Sequence, residues 1–585
     1  MDDRLSREAV ENLVTQFSSA LDFYRELVQN SIDAGTGSIE VWTEFIPPED
    51  GGGEGVTAIH VDDFGEGMNE EIIDNQLTQL FSSSKTDDLT KIGKFGIGFV
   101  SVFAMKPKAV LVHTGRAGEF WEVLFHEDRS FTKTRVEAPV EGTQLTLFVV
   151  NDYRGYRDLV DGSRATLSRW CSHSETEITF EDRSPVPGEA RGLEPINEAF
   201  EARGDCKTLA TFPGGTEVVL AYSNRPAYGF YNKGLALAVS ESGEDVMGRH
   251  APRFGAIAFK IKSRWLEHTL SRETVMRDKN FDKAMALVHE AADGLLRTNL
   301  IAELVRTAAS NTWTLATAAH YRRLLMFLAG EPTETWRQDA VLEAQILRTV
   351  HGKAISLLDV EAACRRDDRV YVAAGPSPLT QSLAESGTPV LLSERMADSE
   401  PSKGDATTRL IVDLLVERRN IVAGLYDRIF DVDVHTQAMQ RVVHPENIFF
   451  SVEPSLKVEA SQHRLLQHAA ELLDQVGAGY KELVLGTVEV VDGHVPMFVL
   501  GSKIAPLLAR PPDSRYERGR FTKPRALVNR NHPHFRALET MSALQWDMAV
   551  YCLAKSLILE EDRALEKDIE LVKFATQQVR GETQP

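Results

Sequence analysis

The chain has 585 residues, 43% apolar and 26% charged, and its 65 basic against 86 acidic side chains leave a formal charge of −21. This is a globular composition with room for three or four domains, and its acidic balance argues against gripping phosphate backbones, so no nucleic-acid partner is expected. No apolar run reaches the roughly 18–20 residues of a membrane helix, and Met1 opens onto DDRLSREAV without a signal-peptide pattern, so no membrane partner is expected either. Cys171, Cys206, Cys364 and Cys552 are too scattered for a metal site or disulfide framework, and the expectation is core thiols in a reducing cytoplasm.

The first patterned stretch, FYRELVQNSIDAG (Phe23–Gly35), predicts a helix closed by Gly35. Its leucine and valine serve a core face, yet Glu26, Asn30 and Asp33 fall at i, i+4 and i+7 on one side. A solvated polar face is the ordinary reading of such a row. The next segments decide against it.

SIEVWTEF (Ser38–Phe45) alternates as a strand, PPEDGGGEG connects, and VTAIHVDD runs as a second strand into DDFGEGM (Asp62–Met68). The triplet Asp63-Phe64-Gly65 lacks the catalytic loop and glycine-rich loop that a protein kinase needs, and neither Gly-Lys pair continues into the Ser or Thr of a Walker A loop. Instead, a strand-end carboxylate beside Gly65 and Gly67 places an acceptor at the floor of a closely approachable pocket, suited to an exocyclic amine such as adenine's. NEEIIDNQLTQLF predicts a helix and SSSKTDDLTK a polar loop. GKFGIGF (Gly93–Phe99) then spaces its glycines to turn amides toward phosphates ahead of a helix. Finally, EGTQLTLFVV sets Gly142-Thr143 at the start of a strand.

Taken in order, E-x-x-x-N-x-x-D, D-x-G-x-G, G-x-x-G-x-G and GT resemble the N, G1, G2 and G3 boxes of the GHKL ATPases, the gyrase, heat-shock-protein-90, histidine-kinase and MutL type. Four boxes in sequence are far more specific than any one. The resemblance implies that Asn30 holds the Mg²⁺ bridging the ATP phosphates, that Asp63 reads adenine with Thr143 in support, and that Glu26 is the base for the attacking water. It implies further ATP contacts at Asp33, through water, at Gly67, Met68 and Asn75, and along Gly93, Phe95, Gly96, Ile97, Gly98 and Phe99. The segment 69–92 becomes a lid whose cation is Lys85, or a residue nearer Ser82.

FYRELVQNSIDA and GKFGIGFVSVF are most similar to the heat-shock-protein-90 chaperones, whereas SIDAGTGSIEV and FSSSK stand nearer the MutL and MORC ATPases. Histidine kinases fit poorly, because their phosphoacceptor helices precede the ATPase and only about twenty residues stand ahead of Phe23 here. EDRSPVPGEARGLEP predicts an interdomain connection, followed by strands at GGTEVVLAYS, GFYNKGLALAVS and GAIAFKIKS. The LSRET piece at 270–274, ahead of a long amphipathic helix, resembles the chaperone catalytic loop, and Arg272 would reach the γ-phosphate from it. DRVYVAAGPSPLTQSLAESGTPVLLSE predicts strand, helix and strand, and PRALVNRNHPHFRAL resembles the end of a chaperone dimerisation domain. His532 and His534 have no further ligand at metal spacing.

The implied architecture is α+β: an N-terminal GHKL (Bergerat) α/β sandwich ATPase domain over 1–185, a middle domain over 186–425, and a C-terminal dimerisation domain over 426–585. The implied function is an ATP-dependent chaperone, a homodimer acting on client proteins. A MORC- or MutL-like clamp on DNA is the alternative.

Overall fold

The computed structural model describes residues 19–48, 53–78, 98–186, 188–269, 274–332, 339–393, 405–417, 433–447, 449–455, 457–489, 495–501, 507–509, 525–559 and 567–573. The chain forms two compact units, 1–299 and 300–585.

In the first unit, the helix Phe23–Asp33 is entered through a turn at Ala20–Asp22, capped by Ser19 and Asp22 in a capping box. β1 (Ser38–Ile46) and β2 (Gly55–Asp63) follow, then β3 (Ala109–Arg116), β4 (Glu119–His126), β5 (Phe131–Arg135) and β6 (Thr143–Asn151). A long helix, Tyr153–Cys171, leads to β7 (Glu177–Arg183) and β8 (Arg191–Pro195). These strands form one eight-stranded sheet in the order β5-β4-β3-β6-β2-β1-β7-β8. Its pairings are antiparallel except β1 with β7, where Ser38 meets Glu177.

Alternation sorts the sheet's two faces. Ile39, Val41, Ile59, Val61, Val110, Val112, Leu145, Leu147, Ile178 and Phe180 turn inward to pack with Phe23, Leu27, Phe99, Phe103, Tyr156 and Leu167. On the other face, Trp42 stacks on His60 with ring centroids 3.3 Å apart, and Arg183 from the strand on its other side lies 3.9 Å from the same ring.

One expectation fails at this level. Much of EDRSPVPGEARGLEP is sheet, the end of β7 and the whole of β8, with Phe180 opposite Glu194 and Asp182 opposite Arg191. Its proline and glycine mark a hairpin loop, and ion pairs from the long helix, Arg164 to Glu194 and Asp161 to Arg191, hold the edge strand.

Still in the first unit, a second sheet is built from β9 (Asp205–Phe212), β10 (Thr216–Tyr222), β11 (Tyr228–Asn232), β12 (Leu235–Ser240) and β13 (Ile257–Lys262), ordered β12-β11-β13-β10-β9. The stretch predicted as one strand, GFYNKGLALAVS, is a hairpin that turns at Lys233-Gly234. The helix Lys279–Ala291 packs on this sheet, with Phe281 against Phe230 at 5.4 Å.

The second unit contains the short pair β14 (Leu347–Arg348) and β15 (Ala354–Ile355), and a parallel sheet ordered β17 (Val390–Leu392), β16 (Val370–Ala373), β18 (Val442–Val443). The strand-helix-strand expectation at 368–394 is met there, with helix Pro378–Glu385 between β16 and β17. A last sheet runs β21 (Phe498–Gly501), β23 (Arg525–Asn529), β20 (Glu482–Glu489), β19 (Phe449–Pro454), β22 (Leu507–Ala509). Helices Ala460–Gln475, Pro533–Ser542 and Trp546–Ile558 bury Leu465, Leu473, Phe535, Leu553 and Leu557 against it. His532 caps the second of these helices, its Nδ1 accepting from the His534 amide at 3.2 Å, and no metal-binding cluster exists among the described residues.

Candidate active site

The helix Phe23–Asp33 buries Phe23, Tyr24, Leu27 and Val28, and the Tyr24 hydroxyl donates to Ser163 at 2.9 Å. Those contacts fix the helix's rotation, and with it the side that carries Glu26 and Asn30. Glu26 is buried at 7% exposure. Gly98 comes so close that a Cβ there would stand 2.8 Å from a Glu26 carboxylate oxygen and 3.7 Å from the Asn30 amide nitrogen. The start of the helix after the glycine loop is therefore brought directly against this carboxylate and amide.

The floor is made at the end of β2. The first carboxylate oxygen of Asp63 accepts from the Gly65 amide at 3.0 Å and the Thr143 amide at 3.3 Å. The second accepts from the Ser31 hydroxyl at 3.0 Å. Burial raises the Asp63 pKa above the ordinary aspartate value, and the three hydrogen bonds pull against that rise. Gly142 (φ +68°) lies against the Asp63 carbonyl, and Gly67 (φ +65°) against the carbonyls of Gly115 and Gly142, so a side chain at either position would collide with backbone. Thr114 joins these pieces: its hydroxyl donates to the Gly142 carbonyl, accepts from the Met68 amide at 2.8 Å and lies 3.1 Å from the Thr143 hydroxyl.

A cavity of about 170 Å³ results, lined by Asn30, Ser31, Asp63, Met68, Gln76, Phe99 and Thr143 among apolar Leu27, Val61, Ile72, Leu77, Val112 and Leu145. An apolar slot with one acceptor-rich end suits a flat heteroaromatic ring that carries an amine.

The sequence-derived residues divide into three groups. Asn30, Asp63, Met68, Phe99 and Thr143 line the cavity, while Glu26, Gly67 and Gly98 buttress it. Asn75 is exposed and is not a lining residue; a π-type turn at Ile73–Leu77 puts Gln76 there, one turn on from Ile72. Asp33 also lies outside the lining, its carboxylate taken by Gln29 at 3.1 Å and Lys233 at 3.0 Å. Ser82, Lys85, Gly93, Phe95, Gly96, Ile97 and Arg272 lie outside the described residues. Sequence reasoning missed Ser31, Thr114 and Gln76. For Thr114 a signal existed, a polar residue in the inward phase of Val110 and Val112.

Asn30 offers an amide side chain at the cavity wall beside the Glu26 carboxylate. A hard cation that keeps most of its waters needs few such protein oxygens, so the donor set fits Mg²⁺.

Residues 17–152 match the family described as "Histidine kinase-, DNA gyrase B-, and HSP90-like ATPase". Chaperone protein HtpG of Enterobacter sp. (strain 638) is 28% identical over 224 residues, covering 31% of this chain and 33% of the relative. Chaperone protein htpG of Bacteroides fragilis (strain 638R) is 29% identical over 177 residues, covering 27% and 25%. The matched part thus spans a third or less of these relatives' length. A solved structure titled "Crystal Structure of N terminal domain of a DNA repair protein" superposes with a TM-score of 0.34 at 12% identity over 51% of this chain and 99% of that one, too loosely to bear on function.

Proposed function

We propose that the chain is a divergent HSP90-type ATP-dependent molecular chaperone that hydrolyses ATP and acts on client proteins, a reading supported by the ATPase-family match over residues 17–152 and by the similarity to HtpG chaperones. The observation that carries this reading is the Asp63 carboxylate at the floor of an apolar slot, with Asn30 and Glu26 on the adjoining helix.

In the proposed mechanism, the adenine amine donates to Asp63, whose orientation Ser31, Gly65 and Thr143 hold. The ring lies between Met68, Leu145 and Phe99. Asn30 would hold Mg²⁺, which when bound neutralises phosphate charge. Glu26, kept dry by burial, orients the attacking water and takes its proton. The Gly93–Phe99 amides wrap the phosphates, Asp33 faces the nucleotide through water, and Asn75, Ser82 and Lys85 belong to a lid that closes over it. Arg272 meets the γ-phosphate on closure. The working unit is a homodimer joined through residues 426–585, with a middle domain that begins after β8 and runs to about 425. The net charge of −21 favours a protein client over DNA.

The test is a pair of variants. Glu26→Ala should lose hydrolysis and keep ATP binding, whereas Asp63→Asn should lose binding. If the two fail alike in a nucleotide-binding assay, the role assignment is wrong.

A further inference from the structure

The tip of the β11–β12 hairpin is an unusual place for a lysine. Asn232 pairs with Leu235, leaving a two-residue loop in which Lys233 (φ +47°) and Gly234 (φ +81°) are both left-handed, as a type I′ turn requires. Asparagine or glycine is the favoured residue at the first of those positions, so a lysine there holds a disfavoured backbone. Its ammonium donates to Asp33 at 3.0 Å, at the end of the helix that carries Glu26 and Asn30. The pair is half exposed, 50% for Lys233 and 32% for Asp33, so it adds little to stability. Something other than folding accounts for it.

The tip is held on its remaining sides. Gly234 lies so close to the His173 carbonyl that no side chain fits there. The Asn232 amide donates to the Leu266 carbonyl at 2.8 Å and the Arg264 carbonyl at 3.4 Å, gripping the turn that leaves β13. That turn opens the loop whose arms pair His268 with Val275 and join the Met276 amide to the Glu267 carbonyl at 2.7 Å. The hairpin end therefore touches both the end of the nucleotide helix, through Lys233, and the base of the loop, through the neighbouring Asn232.

The geometry points to Lys233 as a positioning residue that couples the nucleotide helix, through Asp33, to the second sheet and, through Asn232, to the turn at Arg264–Leu266 that leaves it. This deepens the ATPase reading and rests on it. Asp33 keeps its carboxylate aligned by Gln29 and Lys233 together, and a shift of the helix end is passed to the loop base by hydrogen bonds rather than by side-chain packing.

The test uses Lys233→Asn in the full chain. It makes the tip Asn-Gly, the best type I′ pair, while removing the reach to Asp33. The melting temperature should hold or rise. The kcat for ATP should fall roughly five- to tenfold with KM nearly unchanged, the size typical of a coupling contact. Lys233→Arg should restore most of the loss, and Asp33→Asn combined with Lys233→Asn should lose no more than the worse single variant. Wild-type kcat in Lys233→Asn, or strictly additive losses in the double variant, would overturn the coupling. Absence of ATP turnover in the unaltered chain would sink the ATPase reading itself, whereas unchanged kcat in Lys233→Asn sinks only the coupling, so the two failures are told apart.

Discussion

At Asp63 the needs of folding and of the proposed adenine contact oppose each other. Its folded pKa is raised by burial, so its favourable contribution is complete only below the ordinary aspartate value and is lost as pH rises through the folded value. At neutral pH the ionised carboxylate is a liability to the nucleotide-free fold. Asp63→Asn keeps an acceptor for the Gly65 and Thr143 amides and a donor for the Ser31 oxygen while removing the buried charge. It should therefore raise the nucleotide-free melting temperature by about 1–3 °C and weaken ATP binding roughly 10- to 100-fold, measured by scanning fluorimetry and calorimetry. Equal or lower stability would show that burial does not penalise this carboxylate. Glu26, Asn30, Asp63 and Thr143 were legible in the sequence because each sits at a countable place on a regular element. Ser31 and Thr114 were not, since their partners at Asp63 and Gly142 lie 32 and 28 residues away and meet them only in the folded sheet.

Elements bring their own surprises where the backbone departs from ideal period. The π-type turn at Ile73–Leu77 puts Gln76 rather than Asn75 at the cavity wall, and nothing in the residue types of that stretch announces an i to i+5 turn. This stretch is tied down by Lys133 of β5, which bridges Glu70 at 3.0 Å and Asp74 at 2.7 Å while its ammonium lies 4.9 Å from the Trp121 ring centroid. Lys133→Met should speed amide exchange over 70–78 several-fold and weaken nucleotide binding, with exchange elsewhere in the sheet unchanged. On the outer face of β2, burial and the Arg183 charge hold His60 down at about 4, and burial first of all pushes Asp62 up to about 6. The His60 contribution is present above pH 6.5 and lost as pH falls towards 4; the Asp62 contribution runs oppositely, complete below 3.8 and lost as pH rises through 6. The stability gap between wild type and His60→Gln should therefore be widest above pH 6.5 and narrow towards pH 4 in urea unfolding. A gap that widens on acidification would refute this assignment.

For the whole molecule, the strongest expectation concerns self-association. Leu544 (88% exposed), Leu559 (61%), Ile569 (52%) and Met548 (50%) put large apolar side chains in solvent along the last helices. Such a run fits a partner surface, and the proposed homodimer supplies one. Light scattering should give a dimer for the full chain and a monomer for a protein ending at residue 425; a monomeric full chain at micromolar concentration removes the claim. A non-hydrolysable ATP analogue should slow exchange over 69–99 strongly and over 265–280 more weakly, as expected when a lid and a second-domain loop close together. The large sheet was legible as separate strands, but its closure was not. The parallel meeting of Ser38 with Glu177 joins chain segments far apart, and the β8 edge, a local hairpin with β7, was concealed as a connection by a proline- and glycine-rich stretch.

That closure has a consequence for how the protein is made. Asp63 meets the Thr143 amide 80 residues later, an interval the ribosome needs roughly 4–16 s to cross. Through that time the cavity floor has only one wall, and β1 and β2 lack the neighbours that bury their outer edges. On the proposed reading, nucleotide could not template the nascent domain, because the Asp63 acceptor is oriented by the Thr143 amide only when β6 arrives. The newborn chain must pass through a stage with open strand edges, the very kind of species that chaperones attend. If the proposed function holds, the protein begins life in need of the service it performs.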